Sequence, residues 1–152
     1  MVTVDSARER VIAFAKRFGE PHAVLAMHAA LPLGLTAEML HLIRINFVPE
    51  APWIAEADLL LSALCREAGG DLYEMGPDVR EFLVEELESD SGLGRTQINR
   101  VAQFLTLYAG RAMRLTKAAD VRHFLRVQQW VALAYLRPEK AAEALAEALN
   151  KS

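Results

Sequence analysis

The spacing of apolar residues predicts a series of short helices in the first part of the chain. Apolar side chains recur at the i, i+3, i+4, i+7 spacing of a helix with one buried face, first in a segment that ends at Phe18. Gly19 should end this helix, and Pro21 suits the first turn of the next. The second helix is apolar on nearly all sides, so we expect it at the centre of the fold. Thr36 is expected to cap a third helix, with apolar residues facing inward as far as Phe47.

The segment PWIAEADLLLSALCREAGGDLYEM predicts a fourth helix followed by a small hairpin or turn. Trp53 precedes this helix, and the paired glycines Gly69 and Gly70 are expected to end it. Its inward residues are predicted to be Leu60, Leu61, Leu64 and Cys65. Apolar and acidic residues alternate after the glycines, which is the period of a short strand or turn near 71–76.

The remaining pattern predicts four more helices around one linker. A fifth helix should begin at Pro77, and the segment SDSGLG, residues 89–94, is the clearest linker in the chain. Further helices are expected to open at Thr96, at Thr116 and at Pro138.

These elements predict an all-α fold: a helical bundle of about seven to eight helices with a winged-helix-like middle segment. The middle segment has the order helix, helix, short hairpin, helix. Residues 1–152 are expected to form a single helical domain. The alternative is a pair of packed lobes, a winged-helix-like lobe at 1–90 and a helical lobe at 95–152.

Composition favours a folded protein of the cytoplasm. The hydrophobic fraction is 53% and the charged fraction is 24%, which allow a sizeable core. No apolar run approaches the roughly 18 residues that a membrane span needs, so no membrane association is expected. The N-terminus has no apolar signal core, and Cys65 is the single cysteine, so an internal disulfide is impossible.

Charge is divided unevenly along the chain. Residues 66–90 contain nine acidic and two basic residues, whereas residues 95–137 contain eight basic residues and one acidic residue. One interpretation is that neighbouring helices pair these faces, which adds little stability because surface ion pairs are weak. The other is a bipolar surface that steers a charged partner.

No catalytic residue, cofactor or metal site is predicted. The four histidines are scattered, and the sequence contains neither HExxH nor CxxC. Cys65 lies in an apolar stripe, which is typical of an inert thiol. The stretch GLGRT lacks the spacing and the lysine of a P-loop, and the glutamates of the fifth helix are typical of a solvated face. We therefore expect no enzyme, and an unforeseen hydrolase would need a pocket with converging polar groups.

Duplex binding through the winged-helix-like segment is not expected. A DNA reader of this plan carries lysine and arginine on its recognition helix and wing. Here the candidate recognition helix, IAEADLLLSALCRE, offers only Arg66, and the candidate wing, GGDLYEMGPD, is acidic. The basic helices at 95–137 remain an alternative nucleic-acid-binding surface.

Three segments of the chain are distinctive: PWIAEADLLLS, LYEMGPDVREFL and WVALAYLRP. Through these segments, and over nearly its whole length, the chain resembles a helical module found in large bacterial multidomain proteins. In that group the module is an accessory region, effector-associated or adaptor. It is fused to or encoded beside formylglycine-generating-enzyme-like domains, caspase-like or trypsin-like peptidases and signalling NTPases. The resemblance implies a role in bacterial immunity or programmed-death signalling, and it assigns no catalytic residue. The middle segment also resembles the element that follows the nucleotide-binding core of signalling ATPases, which packs on protein.

Together these observations predict a non-catalytic protein–protein interaction module that docks an effector or NTPase partner. The oligomeric state stays open. Residues predicted to face the partner around the wing are Trp53, Tyr73, Met75 and Arg80. A basic helix face is predicted as a second contact, formed by Arg111, Arg114, Arg122 and Arg126. The alternative is that Trp53 and Tyr73 pack between helices, and that the arginines are simply solvated.

Overall fold

The protein is largely helical and contains one small β-hairpin, as the sequence predicts. The computed structural model describes residues 4–136, 143 and 146–150. Its elements are α1 (Val4–Phe18), α2 (Glu20–Ala29), α3 (Ala37–Phe47), α4 (Ile54–Leu60), β1 (Cys65–Gly69), β2 (Leu72–Met75), α5 (Pro77–Ser89), α6 (Gly94–Leu115) and α7 (Ala119–Leu136). Residues 143 and 146–150 are also helical, while the rest of the helix predicted from Pro138 lies outside the described residues.

The chain divides into two compact units, Met1–Arg95 and Thr96–Ser152. The division falls in the first turn of α6, directly after the linker segment that the sequence singles out. None of the helices in the described part of the chain is long and apolar enough to cross a membrane.

Helix α2 lies at the centre of the first unit, where it contacts α1, α3, α4 and α5. Gly19 forms the turn that leads from α1 into α2, and its φ of 103° is a conformation that residues with a Cβ rarely adopt. Leu25 and Ala26 are fully buried, in agreement with the apolar pattern. His28 is also buried, and its Nδ1 donates to the Val24 carbonyl one turn earlier at 2.8 Å.

The segment between α2 and α3 forms one antiparallel β-bridge with the hairpin. Leu35 and Tyr73 exchange two backbone hydrogen bonds, each 2.8 Å long. Thr36 then caps α3, because its Oγ1 accepts from the Met39 amide at 3.1 Å. The order α2, bridge, α3, α4 and hairpin is a winged-helix-like plan.

Helix α4 is shorter than the sequence predicts, and the residues after it form a strand instead. The helix ends at Leu60, where Ser62 Oγ donates to the Leu59 carbonyl at 2.7 Å and also accepts from the Leu64 amide at 3.1 Å. This turn leads the chain into β1, which pairs antiparallel with β2 from Cys65↔Met75 to Gly69↔Leu72. The two glycines, with φ of 109° and 57°, therefore turn the hairpin rather than end a helix.

Helix α5 is the last helix of the first unit and packs against α1 and α2. Its buried residues Val79, Leu83 and Leu87 follow the predicted stripe. In the second unit, α6 begins slightly before the predicted Thr96, and α7 begins three residues after the predicted Thr116. Gln129 of α7 donates to the Thr106 carbonyl of α6 at 3.2 Å, which fixes one contact between these helices.

Candidate functional site

The outward side of α4 is an apolar surface formed by Trp53, Ile54, Ala57 and Leu61. Trp53 has helical φ and ψ of −57° and −32°, and the Ala55 amide donates to the Pro52 carbonyl at 2.9 Å. The helical path therefore starts before Ile54. Residues four apart on a helix lie on one side, so Trp53, Ala57 and Leu61 share a face. We name these four residues the α4 apolar face.

The α4 apolar face is open to solvent. Trp53 is 74% exposed, Leu61 is 78% exposed and Ile54 is 42% exposed. On the opposite side of the same helix, Ala55 and Leu59 are fully buried. Large apolar side chains that share one exposed helix face commonly mark an interaction surface.

Polar contacts on both flanks of the helix fix which side is exposed. Glu56 accepts a hydrogen bond from Arg44 Nε, and its Oε2 lies 3.0 Å from His41 Nδ1. On the other flank, the Asp58 carboxylate lies 3.0 Å from Nε2 of His22, whose ring is buried and stacks on Phe18. These contacts fix the orientation of α4 about its own axis, so that its apolar face points to solvent.

The residues predicted around the wing are not gathered on one surface. Trp53 is exposed, so the expectation that it packs between helices is wrong. Met75 is only 6% exposed, and its side chain belongs to the core, which does not favour the predicted contact with a partner. Tyr73 is half-buried, and its backbone is tied to Leu35. Arg80 is half-buried and donates to the Ala30 and Leu31 carbonyls at 3.1 and 3.3 Å, so its guanidinium ties α5 to the end of α2.

The predicted basic face also separates into two groups. Arg111, Arg114 and Arg126 are exposed. Arg122 is half-buried, and its Nη1 donates to the Met113 and Thr116 carbonyls near the end of α6. Arg122 therefore supplies carbonyls at the end of α6 with a donor, and its predicted contact with a partner stays a prediction.

The hairpin keeps the acidic character that the sequence indicates. Arg66 pairs with Glu74 across the strands at 3.1 Å, so the one cation of the wing is compensated. Glu67 and Asp71 are exposed. A phosphate backbone would meet acidic side chains on this wing.

The described residues of the first unit form at least two concave surfaces. The first is a cleft of about 380 Å³ between α1 and the segment joining α4 to β1. Its lining residues are Arg10, Ala13, Phe14, Arg17, Phe18, Asp58, Leu61, Ser62, Ala63 and Leu64. The second is a groove of about 450 Å³ formed by α1, α2 and α5, and it carries one charge of each sign, Arg8 and Glu86. Because Leu61 belongs to the first cleft, that cleft adjoins the α4 apolar face.

The single thiol is in a poor environment for nucleophilic chemistry. Burial raises the pKa of Cys65 to about 12, because the thiolate would lose its solvation. Among the residues that the structure describes, no group of three histidine, cysteine or carboxylate side chains is arranged to hold a metal ion.

The fold and the site define a mostly helical protein with a winged-helix-like unit and an exposed apolar helix face. No protein-family model, no curated protein and no solved structure matches the chain.

Sequence reasoning missed three members of the α4 apolar face, Ile54, Ala57 and Leu61. The apolar run LLLSAL predicts an inward Leu61, which the structure contradicts. A signal is present, since Trp53, Ala57 and Leu61 are spaced by four and lie opposite Ala55 and Leu59. This spacing indicates an exposed Leu61 only once the helix is known to end at Leu60, because a longer helix would favour Leu61 as part of the buried stripe.

Proposed function

We propose that this protein is a non-catalytic protein–protein interaction module that docks an effector or NTPase partner through the α4 apolar face. The observation that carries the proposal is the exposure of Trp53 and Leu61 on one side of a helix whose opposite side is buried. Tryptophan is the residue type most enriched among side chains that dominate protein interfaces.

The chemistry of the α4 apolar face favours a protein partner over nucleic acid. In a winged-helix-like plan, α4 occupies the position of the recognition helix. Its seven residues, IAEADLL, include two acidic residues and no basic residue. Affinity for a phosphate backbone comes from lysine and arginine, so this helix lacks the groups that a DNA reader uses. Covering Trp53 and Leu61 would instead gain about 25 cal/mol for each Å² of apolar surface removed from water.

The nature of the partner is proposed from the resemblance to bacterial accessory modules. In those proteins the module accompanies peptidases, signalling NTPases or formylglycine-generating-enzyme-like domains. We assign this chain the corresponding role, an adaptor or regulatory domain in an immunity or programmed-death signalling system of the bacterial cytoplasm. The exposed arginines Arg111, Arg114 and Arg126 offer a second, electrostatic contact that would speed association with an acidic partner.

The test is co-purification of the tagged chain with the proteins encoded beside it. We expect one of these proteins to be retained by the wild type and lost with Leu61→Glu. The matched control is Leu107→Glu on α6, because Leu107 is 75% exposed and Leu61 is 78% exposed. Failure of every neighbouring protein to bind a folded sample, or equal loss with both variants, would refute the proposal.

A second candidate function is nucleic-acid binding by the basic helices. The specific observation in its favour is that α6 spans 22 residues without one acidic side chain, and that Arg111 and Arg114 are exposed on it. A mobility shift at low salt that disappears with Arg111→Glu and Arg114→Glu would support this function. Absence of any shift at low salt would eliminate it.

A further inference from the structure

We propose that the cleft between α1 and the α4–β1 segment binds a stretch of the partner in which an acidic side chain adjoins large apolar side chains. This inference rests on the proposed function, because the cleft shares Leu61 with the α4 apolar face. It adds the chemistry of the partner segment, which the exposure of Trp53 alone does not specify.

The floor of the cleft is aromatic and aliphatic. Phe14 and Leu64 are buried in it, and the Phe14 and Phe18 rings lie 5.0 Å apart. Its volume of about 380 Å³ lies within the range of sites that bind small groups, and it suits one or two large side chains. The apolar floor favours leucine or an aromatic residue as the inserted group.

Among the charged side chains of the cleft, Arg17 has no hydrogen-bond or ion-pair partner within the described residues. Arg10 is paired with Asp78 of α5 at 3.0 Å. Asp58 lies 3.0 Å from His22. Arg17 lies over the Phe18 ring, 5.0 Å from its centroid, and forms no ion pair among the described residues. A carboxylate is the group that complements this guanidinium.

A second guanidinium also lines the cleft. Arg10 is bonded to Asp78 through Nη2, and 34% of its side chain remains exposed. A carboxylate bound in the cleft would therefore meet the positive charge of Arg10 as well as that of Arg17. Arg10 and Arg17 are seven residues apart on α1 and therefore lie on the same side of the helix.

Continuity of the surface identifies the ligand as a peptide segment rather than a small carboxylate. The cleft reaches the α4 apolar face at Leu61, which is itself exposed. A chain that covers Trp53 and Leu61 can continue into the cleft, whereas a small molecule would fill the cleft and leave Trp53 in water. The lining of the second groove includes no residue of the α4 apolar face, so it lacks this continuity.

The experiment is a titration of the full-length, isotope-labelled protein, followed by amide resonances. The probe is the blocked peptide acetyl-Asp-Glu-Leu-Phe-Glu-amide. Two comparison peptides replace its acidic residues by Asn and Gln, or its Leu-Phe pair by Ser-Ser. Phenylacetate tests whether a small carboxylate is sufficient. We expect the acidic, apolar peptide to shift resonances of the second half of α1 and of residues 61–64, and both comparison peptides to bind more weakly.

Two matched pairs of variants locate the interaction. Arg17→Glu should weaken peptide binding by about fivefold or more, because it replaces an attractive contact by a repulsive one. Lys16→Glu changes the net charge equally from the neighbouring exposed position, outside the cleft lining, and should change binding by less than about twofold. Ala13→Trp should block the cleft, whereas Ala37→Trp at the exposed start of α3 should not.

The outcomes separate this inference from the proposed function. Four results would each overturn the peptide site. Two are equal effects of Arg17→Glu and Lys16→Glu, and equal binding of the acidic and amide peptides. The others are an absence of resonance shifts in the cleft, and shifts with phenylacetate alone. If Arg17→Glu and Ala13→Trp leave the complex with a neighbouring protein intact while Leu61→Glu disrupts it, the proposed function stands and the cleft inference fails. If the peptide binds as described but no neighbouring protein does, the cleft inference stands and the adaptor function fails.

Discussion

Two arginines, Arg80 and Arg122, donate hydrogen bonds to the protein's own backbone. Each donates to carbonyl oxygens that follow or end a helix, where no intrahelical donor is left. Composition cannot distinguish such an arginine from an exposed one such as Arg111, because the contact depends on how the helices pack. The acceptors of Arg80 lie 49 and 50 residues away, and those of Arg122 lie 6 and 9 residues away across the turn from α6 to α7.

The structural role of Arg80 predicts a loss of stability on truncation. Arg80→Ala should lower the free energy of unfolding by about 1–3 kcal/mol, because two carbonyls at the end of α2 lose a charged donor. Urea denaturation measures this change. Arg66→Ala is the matched control: its side chain is 76% exposed, so the change should be below about 1 kcal/mol. Equal stability of both variants would contradict the role given to Arg80.

The environment of Cys65 predicts slow alkylation in the folded state. Its pKa of about 12 leaves very little thiolate at pH 8. In the unfolded chain the thiol is solvated and has its ordinary pKa of 9.0. Labelling of the folded protein by iodoacetamide should therefore be slower than labelling of the unfolded chain by roughly two to three orders of magnitude.

The raised pKa of Cys65 also predicts how the labelling rate changes with pH. As pH rises from 8 to 11, the labelling rate of the folded protein should continue to increase about tenfold per unit, because the thiolate fraction is still far from saturation. The denatured protein should approach a plateau above pH 9. A plateau near pH 9 in the folded protein would show that burial does not raise the pKa.

At the scale of elements, sequence patterns predict most helices of the first unit but not the path from α4 into the hairpin. Helices α1, α2, α3 and α5 are set by local signals, namely glycine and proline at their ends, the Thr36 cap and regular apolar stripes. In the segment 61–69, the local signals are those of a helix that ends at the glycines, and they do not indicate a strand. The backbone of this segment is fixed by pairing with β2 and by the Ser62 turn, and that pairing overrides the helical propensity of LSALCREA.

The Thr36 cap tests how far a local signal stabilises this region. Thr36→Ala should lower the free energy of unfolding by about 1 kcal/mol, because the Met39 amide loses its acceptor next to the Leu35–Tyr73 bridge. Thr36→Ser keeps the oxygen and should cost only a small part of that. Thermal denaturation followed by circular dichroism measures both, and equal melting temperatures for Thr36→Ala and the wild type would contradict the capping role.

At the scale of the whole molecule, the boundary between the two units nearly coincides with the boundary between the acidic and basic stretches. The acidic stretch 66–90 belongs to the unit Met1–Arg95, and most of the basic stretch 95–137 belongs to the unit Thr96–Ser152. The sequence identifies both the charge division and the linker at 89–94. It does not identify the α4 apolar face, because exposure depends on how α4 is rotated by Glu56 and Asp58.

The two-unit division predicts that residues 1–95 fold without the remainder. Packing of α1, α2 and α5 around one another, and of α3 and α4 on α2, is internal to this unit. A fragment of residues 1–95 should therefore show a helical circular dichroism spectrum and a cooperative thermal transition. A fragment that is unfolded at low temperature would show that the second unit is required for the core.

The central claim is that Trp53 and its neighbours on α4 form the docking surface for a protein partner. The most direct measurement is calorimetric titration of the wild type, Trp53→Ala and Ile45→Ala with the effector or NTPase encoded beside the chain. Ile45 is the control because it is 45% exposed on α3, outside the α4 apolar face. We predict that Trp53→Ala raises Kd by about thirtyfold, the effect of losing an interface hot spot, while Ile45→Ala changes it by less than about threefold. Binding of Trp53→Ala with the affinity of the wild type would contradict this claim.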